Sequence, residues 1–260
     1  MRRKPPDSAS RIYGVLLVII LMVAWEVTAR YVFSTVYLTP LSTVVVTFLH
    51  DLTDLSFLKD VGSTLARWFT GYLASGLVMI PLGIIMGRFK IVHSLFEPIV
   101  EFFRPMPSAA IIPIAILFLG IGTEMKLFVV FFGSSWPILI NTIDGVRSIE
   151  PTYIQTGIVF GLSPKRILTE IIIPASLPGI ATGLRISMAI ALILSITVEM
   201  IAGGDGIGYY ILDAERSFHF SEMYAGVLAI GILGYVINAT FILMEKRLLW
   251  WYHESRRVTR

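Results

Sequence analysis

Four residues of this chain carry ionic or amide chemistry inside otherwise apolar runs: Arg104, Asn141, Arg185 and Glu199. A charge in such a run is costly unless it has a partner or a watery path, so each is a candidate translocation-path or gate residue. Arg104 stands in FFRPMP with Glu101 and Glu97 one and two helical turns before it. It reads either as a salt-bridged clamp or as an anion-attracting gate near the inner surface. Arg185 either bonds carbonyls freed by Pro174 and Pro178 or lines a path. Glu199, just ahead of GGDGIG, holds an outer gate, helps dock a partner, or simply sits at the interface. Asn141 bonds across helices or lines the path.

Covalent and metal chemistry find no foothold. Cysteine is absent, which removes disulfides, thiolate metal sites and a Cys nucleophile. His50, His93, His219 and His253 are scattered without metal-ligand spacing. No G-x-S-x-G, H-E-x-x-H or G-x-x-x-x-G-K-[ST] occurs. The chain is therefore not expected to be an enzyme, to bind a metal or cofactor, or to hydrolyse ATP alone. Nothing in it points to nucleic acid.

The elements that must hold these residues are membrane helices. Of the 260 residues 55% are hydrophobic and only 15% charged, with a mean hydropathy of +0.78; soluble domains carry about 25% charged residues. Charge-free gaps run between Arg67 and Arg88, Arg104 and Glu124, Lys126 and Asp144, and Glu222 and Glu245, each close to the ~20 residues that cross a bilayer. A first span over Ile12–Tyr31 and another over Pro174–Ile201 make six, an all-α polytopic architecture. The basic start, MRRKPPDSAS, predicts a retained first span, not a cleaved signal. Placing both termini in the cytoplasm puts fourteen Lys and Arg inside and five outside, as basic residues resist translocation. The closing LLWWYHESRR reads as an inner interfacial anchor.

Between the fourth and fifth spans lies PTYIQTGIVFGLSPKRILTEIIIP. Pro151 starts a short helix carrying Tyr153, Ile154 and Ile158, and Gly161 allows a sharp turn. Ser163-Pro164 restarts a helix, an N-cap oxygen followed by Pro at the first position. Lys165, Arg166, Ile171 and Ile172 follow, and Pro174 is expected to end the helix at the membrane. The outcome is a cytoplasmic helical pair with apolar faces.

That segment resembles the coupling loop of ABC importer permeases: Gly161, the nine-residue spacing to Ile171, and Pro174 match the family pattern. Gln155-Thr156-Gly157 replaces its Glu-Ala-Ala, and Ile173 its Leu. EPIVEFFRPMPSAAIIPIAILFLGIGTEMKLF, PASLPGIATGLRISMAIAL and VEMIAGGDGIGYYI are similar, in order, to the nitrate/sulfonate/taurine branch. The resemblance implies a type I importer-like fold, with residues 61–249 as permease core and residues 150–173 as coupling loop. Residues 1–60 are then a tail, first span and outer loop, and 250–260 a basic tail. It implies a homodimer in a bacterial inner membrane, two ABC ATPase subunits holding ATP and Mg, and a periplasmic or lipid-anchored solute-binding protein. The coupling contact would include Tyr153, Ile154, Gln155, Thr156, Gly157, Gly161, Leu162, Ser163, Pro164, Lys165, Ile171 and Pro174. Small anions such as sulfonates, taurine or nitrate are the implied cargo. The alternatives are an ion-coupled secondary transporter or channel, or a membrane scaffold that only recruits a soluble partner.

Overall fold

Charge-free stretches become helices, and no strand occurs among the described residues. The structure, a computed structural model, describes residues 8–32 and 37–250. The basic start (Arg2, Arg3, Lys4) and the aromatic-basic end from Trp251 onward lie outside them.

Among the described residues five helices are long and apolar enough to cross a bilayer: Ile12–Val32, Leu55–Arg88, Thr123–Arg147, Pro164–Ala202 and Phe220–Leu248. In chain order they contain α1 (Ser8–Val27), α3 (Leu55–Arg88), α6 (Thr123–Arg147), α9 (Ile173–Ala202) and α11 (Phe220–Leu248). Two short helices, α2 (Leu41–Asp51) and α10 (Ile207–Arg216), lie at one end. At the other, α7 (Pro151–Val159) and α8 (Pro164–Arg166) form a hairpin.

The sixth candidate span is a bent pair of helices. The sequence predicts one span between Arg104 and Glu124. Instead α4 (Lys90–Phe103) and the stretch Ser108–Leu119, a 3-10 turn leading into α5 (Ile112–Leu119), meet at 91°. Pro105 and Pro107 lack the N–H groups that would extend the α4 hydrogen-bond ladder, so the chain bends there.

The centre is α6, held between α3 and α9 by close backbone approach. A Cβ at Gly83 or Gly87 of α3 would come within 2.7 Å of Thr142 or Val146, and one at Gly179 of α9 within 2.7 Å of the Gly145 Cα. Two such Gly-xxx-Gly stripes, legible in the sequence, are spent inside the chain. Polar stitches bind the three helices together: Ser187 Oγ of α9 donates to the Ser134 carbonyl of α6 at 2.6 Å, and Trp68 and Tyr72 of α3 donate to the Met188 and Leu184 carbonyls of α9 at 3.1 Å. By contrast α1 is apolar all round and almost bare, as a helix facing lipid or another chain should be.

Candidate functional site

The hairpin is built to present a fixed apolar tip. Pro151 sits in the first turn of α7, and its far end closes on Gly161, whose φ of +72° favours glycine. Gly161 N–H donates to the Ile158 carbonyl at 2.9 Å and Leu162 N–H to the Gly157 carbonyl at 3.0 Å. Ser163 caps the restart by accepting from Arg166 N–H. Ile154, Leu162, Ile167 and Ile172 pack with Val146 and Ile149 beneath the hairpin, and Gly157 lets Ile171 lie against α7. Tyr153, Ile158, Val159 and Phe160 are left outside, Phe160 at 79% exposure. Gln155, Thr156, Pro164 and Lys165 are exposed beside them, and Arg166 pairs with Glu170 at 2.8 Å.

Pro174 does not end the second helix. One continuous helix runs from Pro164 to Ala202. Its segment Ile167–Ile172 is a π-helical turn, with Ile173 N–H bonding five residues back to the Leu168 carbonyl. The wider turn absorbs the missing N–H of Pro174, which then sits harmlessly in the first turn of α9.

Two grooves flank the hairpin, sharing Ile149 as their common wall. One, of about 1190 Å³, lies between the end of α6, α7 and the start of α9; it has Asn141, Asp144, Glu150, Thr156, Glu170 and Thr182 on its surface and no Lys or Arg. The other, about 710 Å³, has Arg88, Lys90, His93, Arg147 and Gln155 and no carboxylate. Asn141 therefore lines a cavity. Its amide donates to the Pro137 carbonyl of its own helix at 2.8 Å, not across to another.

Arg104 sits far from the surface the sequence predicts. Phe103 stacks on Trp136 with centroids 5.4 Å apart, and Ser108 lies against Gly133. Both contacts fall near the middle of α6, about 15 Å along the axis from Lys126. The break at Arg104–Pro107 is thus at mid-span because it must follow the register of α6. Arg104 is 58% exposed and 3.6 Å from Glu101; Glu97 faces His93 at 3.5 Å instead. Arg185 meets neither proline carbonyl. Its guanidinium lies 3.9 Å from Glu245 of α11.

The opposite end is closed by a charge network. Glu199 is 0% exposed and accepts from Thr64 at 2.8 Å, Arg67 at 2.7 Å and Gly208 N–H at 3.1 Å. Arg67 also pairs with Asp205. Lys126 donates to Asp205 and to the Gly203 carbonyl, each at 3.0 Å. Asp60 accepts from Gly206 N–H at 2.7 Å. Burial would raise the Asp205 acid, but hydrogen bonds from Lys126 and Arg67 outweigh it and hold the carboxyl below its ordinary value. Four helices are thereby tied to the loop at Gly203–Gly206. A carboxylate so enclosed cannot touch a docking partner; it fastens the loop. Sequence reading missed Arg67 and Lys126 as site residues, since each shows in the sequence only as a charge that bounds a charge-free gap. Their partner Asp205 lies 138 and 79 positions away in the chain.

Residues 79–249 match the family described as "Binding-protein-dependent transport system inner membrane component". A putative ABC transporter permease of Methanocaldococcus jannaschii is 32% identical over 88% of this chain and 88% of its own length. The nitrate import permease protein of Synechocystis is 33% identical over 74% of this chain and 70% of its own. The taurine transport system permease protein of Escherichia coli is 27% identical over 92% and 88%. The fold is that of a chain in a bacterial alginate ABC transporter crystallised with its alginate-bound periplasmic protein. The TM-score is 0.64 at 16% identity, covering 96% of this chain and 95% of that one.

Proposed function

Since the chain belongs to the binding-protein-dependent transport system inner membrane component family and is an ABC transporter permease, we propose that two copies form the path of an ATP-driven importer for a small anion. An external solute-binding protein, soluble in the periplasm or lipid-anchored, delivers the solute. Two cytoplasmic ATPase subunits, which carry the ATP and Mg, dock on the hairpins. Both termini are cytoplasmic on this reading, and the Glu199 end faces outward.

The observation that carries the proposal is the hairpin. Its bare tip of Tyr153, Ile158, Val159 and Phe160 suits a groove in a soluble partner. Its inner face is packed firmly enough, through Ile167 and Ile172, to carry movement into α9. ATP-driven closure of the partner would change the relative stability of two packings of the spans. The relatives named for taurine and nitrate support an anionic cargo. Arg104 is the cation that such a path needs at mid-span. The carboxylates of the larger groove would repel an anion, so that groove serves release and not binding.

Mild-detergent purification with mass spectrometry of whatever co-purifies tests the complex. An ATPase at one copy per chain supports the importer; the chain alone, with an intact hairpin, overturns it. Arg104→Ala should weaken uptake while assembly holds, and unchanged uptake kinetics would leave Arg104 a clamp. The ion-coupled reading has one observation in its favour, since Glu101 lies half-exposed beside Arg104 near mid-span. Uptake that persists without ATP and collapses with the proton gradient would establish that reading instead.

A further inference from the structure

We infer that the basic groove beside the hairpin is a binding site for a phosphate-bearing anion, and that its occupant is the headgroup of an anionic phospholipid in the cytoplasmic leaflet. The site goes beyond the transport path: it lies on the far side of Ile149 from the acidic groove.

Four observations meet there. Arg88, Lys90 and Arg147 converge from the ends of α3, α4 and α6, and none has a carboxylate partner among the described residues. Ser94 and Gln155 add a hydroxyl and an amide to the same wall. His93 also lines it, and its Nδ1 is buried without a hydrogen-bond partner. The ring's Nε2 lies 3.5 Å from Glu97, outside the groove lining.

Depth selects the source. Gly87 packs on Val146, which sets Arg88 and Arg147 at one level. Arg147 is 21 residues beyond Lys126 on α6, about 31 Å along the axis, one hydrocarbon thickness from the outer charge network. That is where phosphates of the opposite leaflet lie. Next to the basic residues the surface turns apolar: Ile85, Phe89, Ile91 and Leu95 are all exposed, a strip along which acyl chains can run while the headgroup enters the groove. Unpaired cations between membrane helices on the cytoplasmic side have the chemistry for such lipids. A free phosphate ion would use the cations and His93 but leave the apolar strip bare.

The test uses the full chain with whatever subunits co-purify, reconstituted in phosphatidylcholine with or without phosphatidylglycerol. Lipid retained after delipidating washes is read by native mass spectrometry. Arg88→Gln/Lys90→Gln/Arg147→Gln should lose phosphatidylglycerol on the order of a hundredfold, at roughly fivefold per charge. Arg88→Lys/Arg147→Lys should keep it, which guards against a folding defect. Lys246→Gln/Arg247→Gln, neutralised at the same end but outside the groove, should also keep it. Equal retention by the triple variant and the wild-type protein overturns the site. Displacement of the lipid by millimolar inorganic phosphate assigns the groove to the free ion and overturns the lipid source. If the triple variant keeps the lipid but loses the co-purifying ATPase, the groove receives an acidic protein surface and the inference fails. Each readout is binding, so failure of the importer reading leaves this test intact.

Discussion

The two ends of this permease handle charge in opposite ways. At the Glu199 end, Arg67, Lys126, Glu199 and Asp205 satisfy one another across α3, α6 and the Gly203–Gly206 loop. At the hairpin end, three cations and three carboxylates sit in separate grooves on either side of Ile149 and make no pairs across that wall. Opposite charges this near would pair if the fold needed them for its own cohesion. The first end is a finished structural joint, while at the hairpin end only Glu170 among these six is paired, with the exposed Arg166, and the two grooves are surfaces open to other molecules. A buried pair costs much to break and an exposed one little, so the contrast can be tested by mutation.

The largest effect should come from breaking the finished joint. Arg67→Met leaves Glu199 buried without its cation, a loss of about 3–5 kcal/mol. It should appear as a lowered melting temperature or aggregation in detergent. A melt within a degree of the wild-type value would mean that the network is decorative. At the other end, Phe160→Ala should leave the melt unchanged and weaken ATPase docking by about 2 kcal/mol, roughly thirtyfold, as an exposed aromatic anchor would; binding of the purified ATPase reads it. Gly161→Ala lies between these two. No atom crowds the position, so the cost is that of a left-handed backbone, about 1–2 kcal/mol, and should loosen the hairpin locally, seen as faster amide exchange across Pro151–Ser163.

The smallest effect is a pH dependence. Asp205 has its carboxyl held below the ordinary value in the folded protein. Its contribution is therefore present above the unfolded value of about 4 and lost as pH falls through the folded one. The loss should be modest, since the side chain is nearly half exposed. Melting curves should separate wild-type protein from Asp205→Asn at neutral pH and converge as the solution is acidified. A gap that persists at low pH would assign the difference to something other than this carboxylate.

Much of the scaffold was legible because its signals are local. Charge-free gaps marked the spans. The Gly83/Gly87 and Gly179/Gly183 spacing marked close helix contacts, and Gly161, Ser163 and Pro164 marked the hairpin turn. Proline misled where tertiary structure decided its consequence. At Pro174 a π-helical turn upstream carries the helix through, whereas at Pro105 and Pro107 the chain bends at a depth fixed by Phe103 on Trp136. The charge network was illegible for the same reason. Residues more than a hundred positions apart meet there, and a run of sequence records only that each is charged. Arg185 and Asn141 were visible as polar residues in spans; Glu245 as the partner of Arg185 follows only from packing, whereas Asn141 bonds locally to the carbonyl four residues back.

The π-helical turn sets the phase between the docking tip and the membrane. It places one extra residue in the 39-residue helix that runs from Pro164 to Ala202. Deleting a single residue from Ile167–Ile172 would let the helix relax to ordinary winding with its phase kept, whereas winding the same six residues as ordinary helix would swing the hairpin by one residue's rotation, about 100° around the shaft. The ATPase would then find the same contact residues facing the wrong way, in a chain that still folds. On the proposed importer reading the turn acts as a clutch plate: its winding, more than its sequence, would decide whether a partner's movement reaches the bilayer.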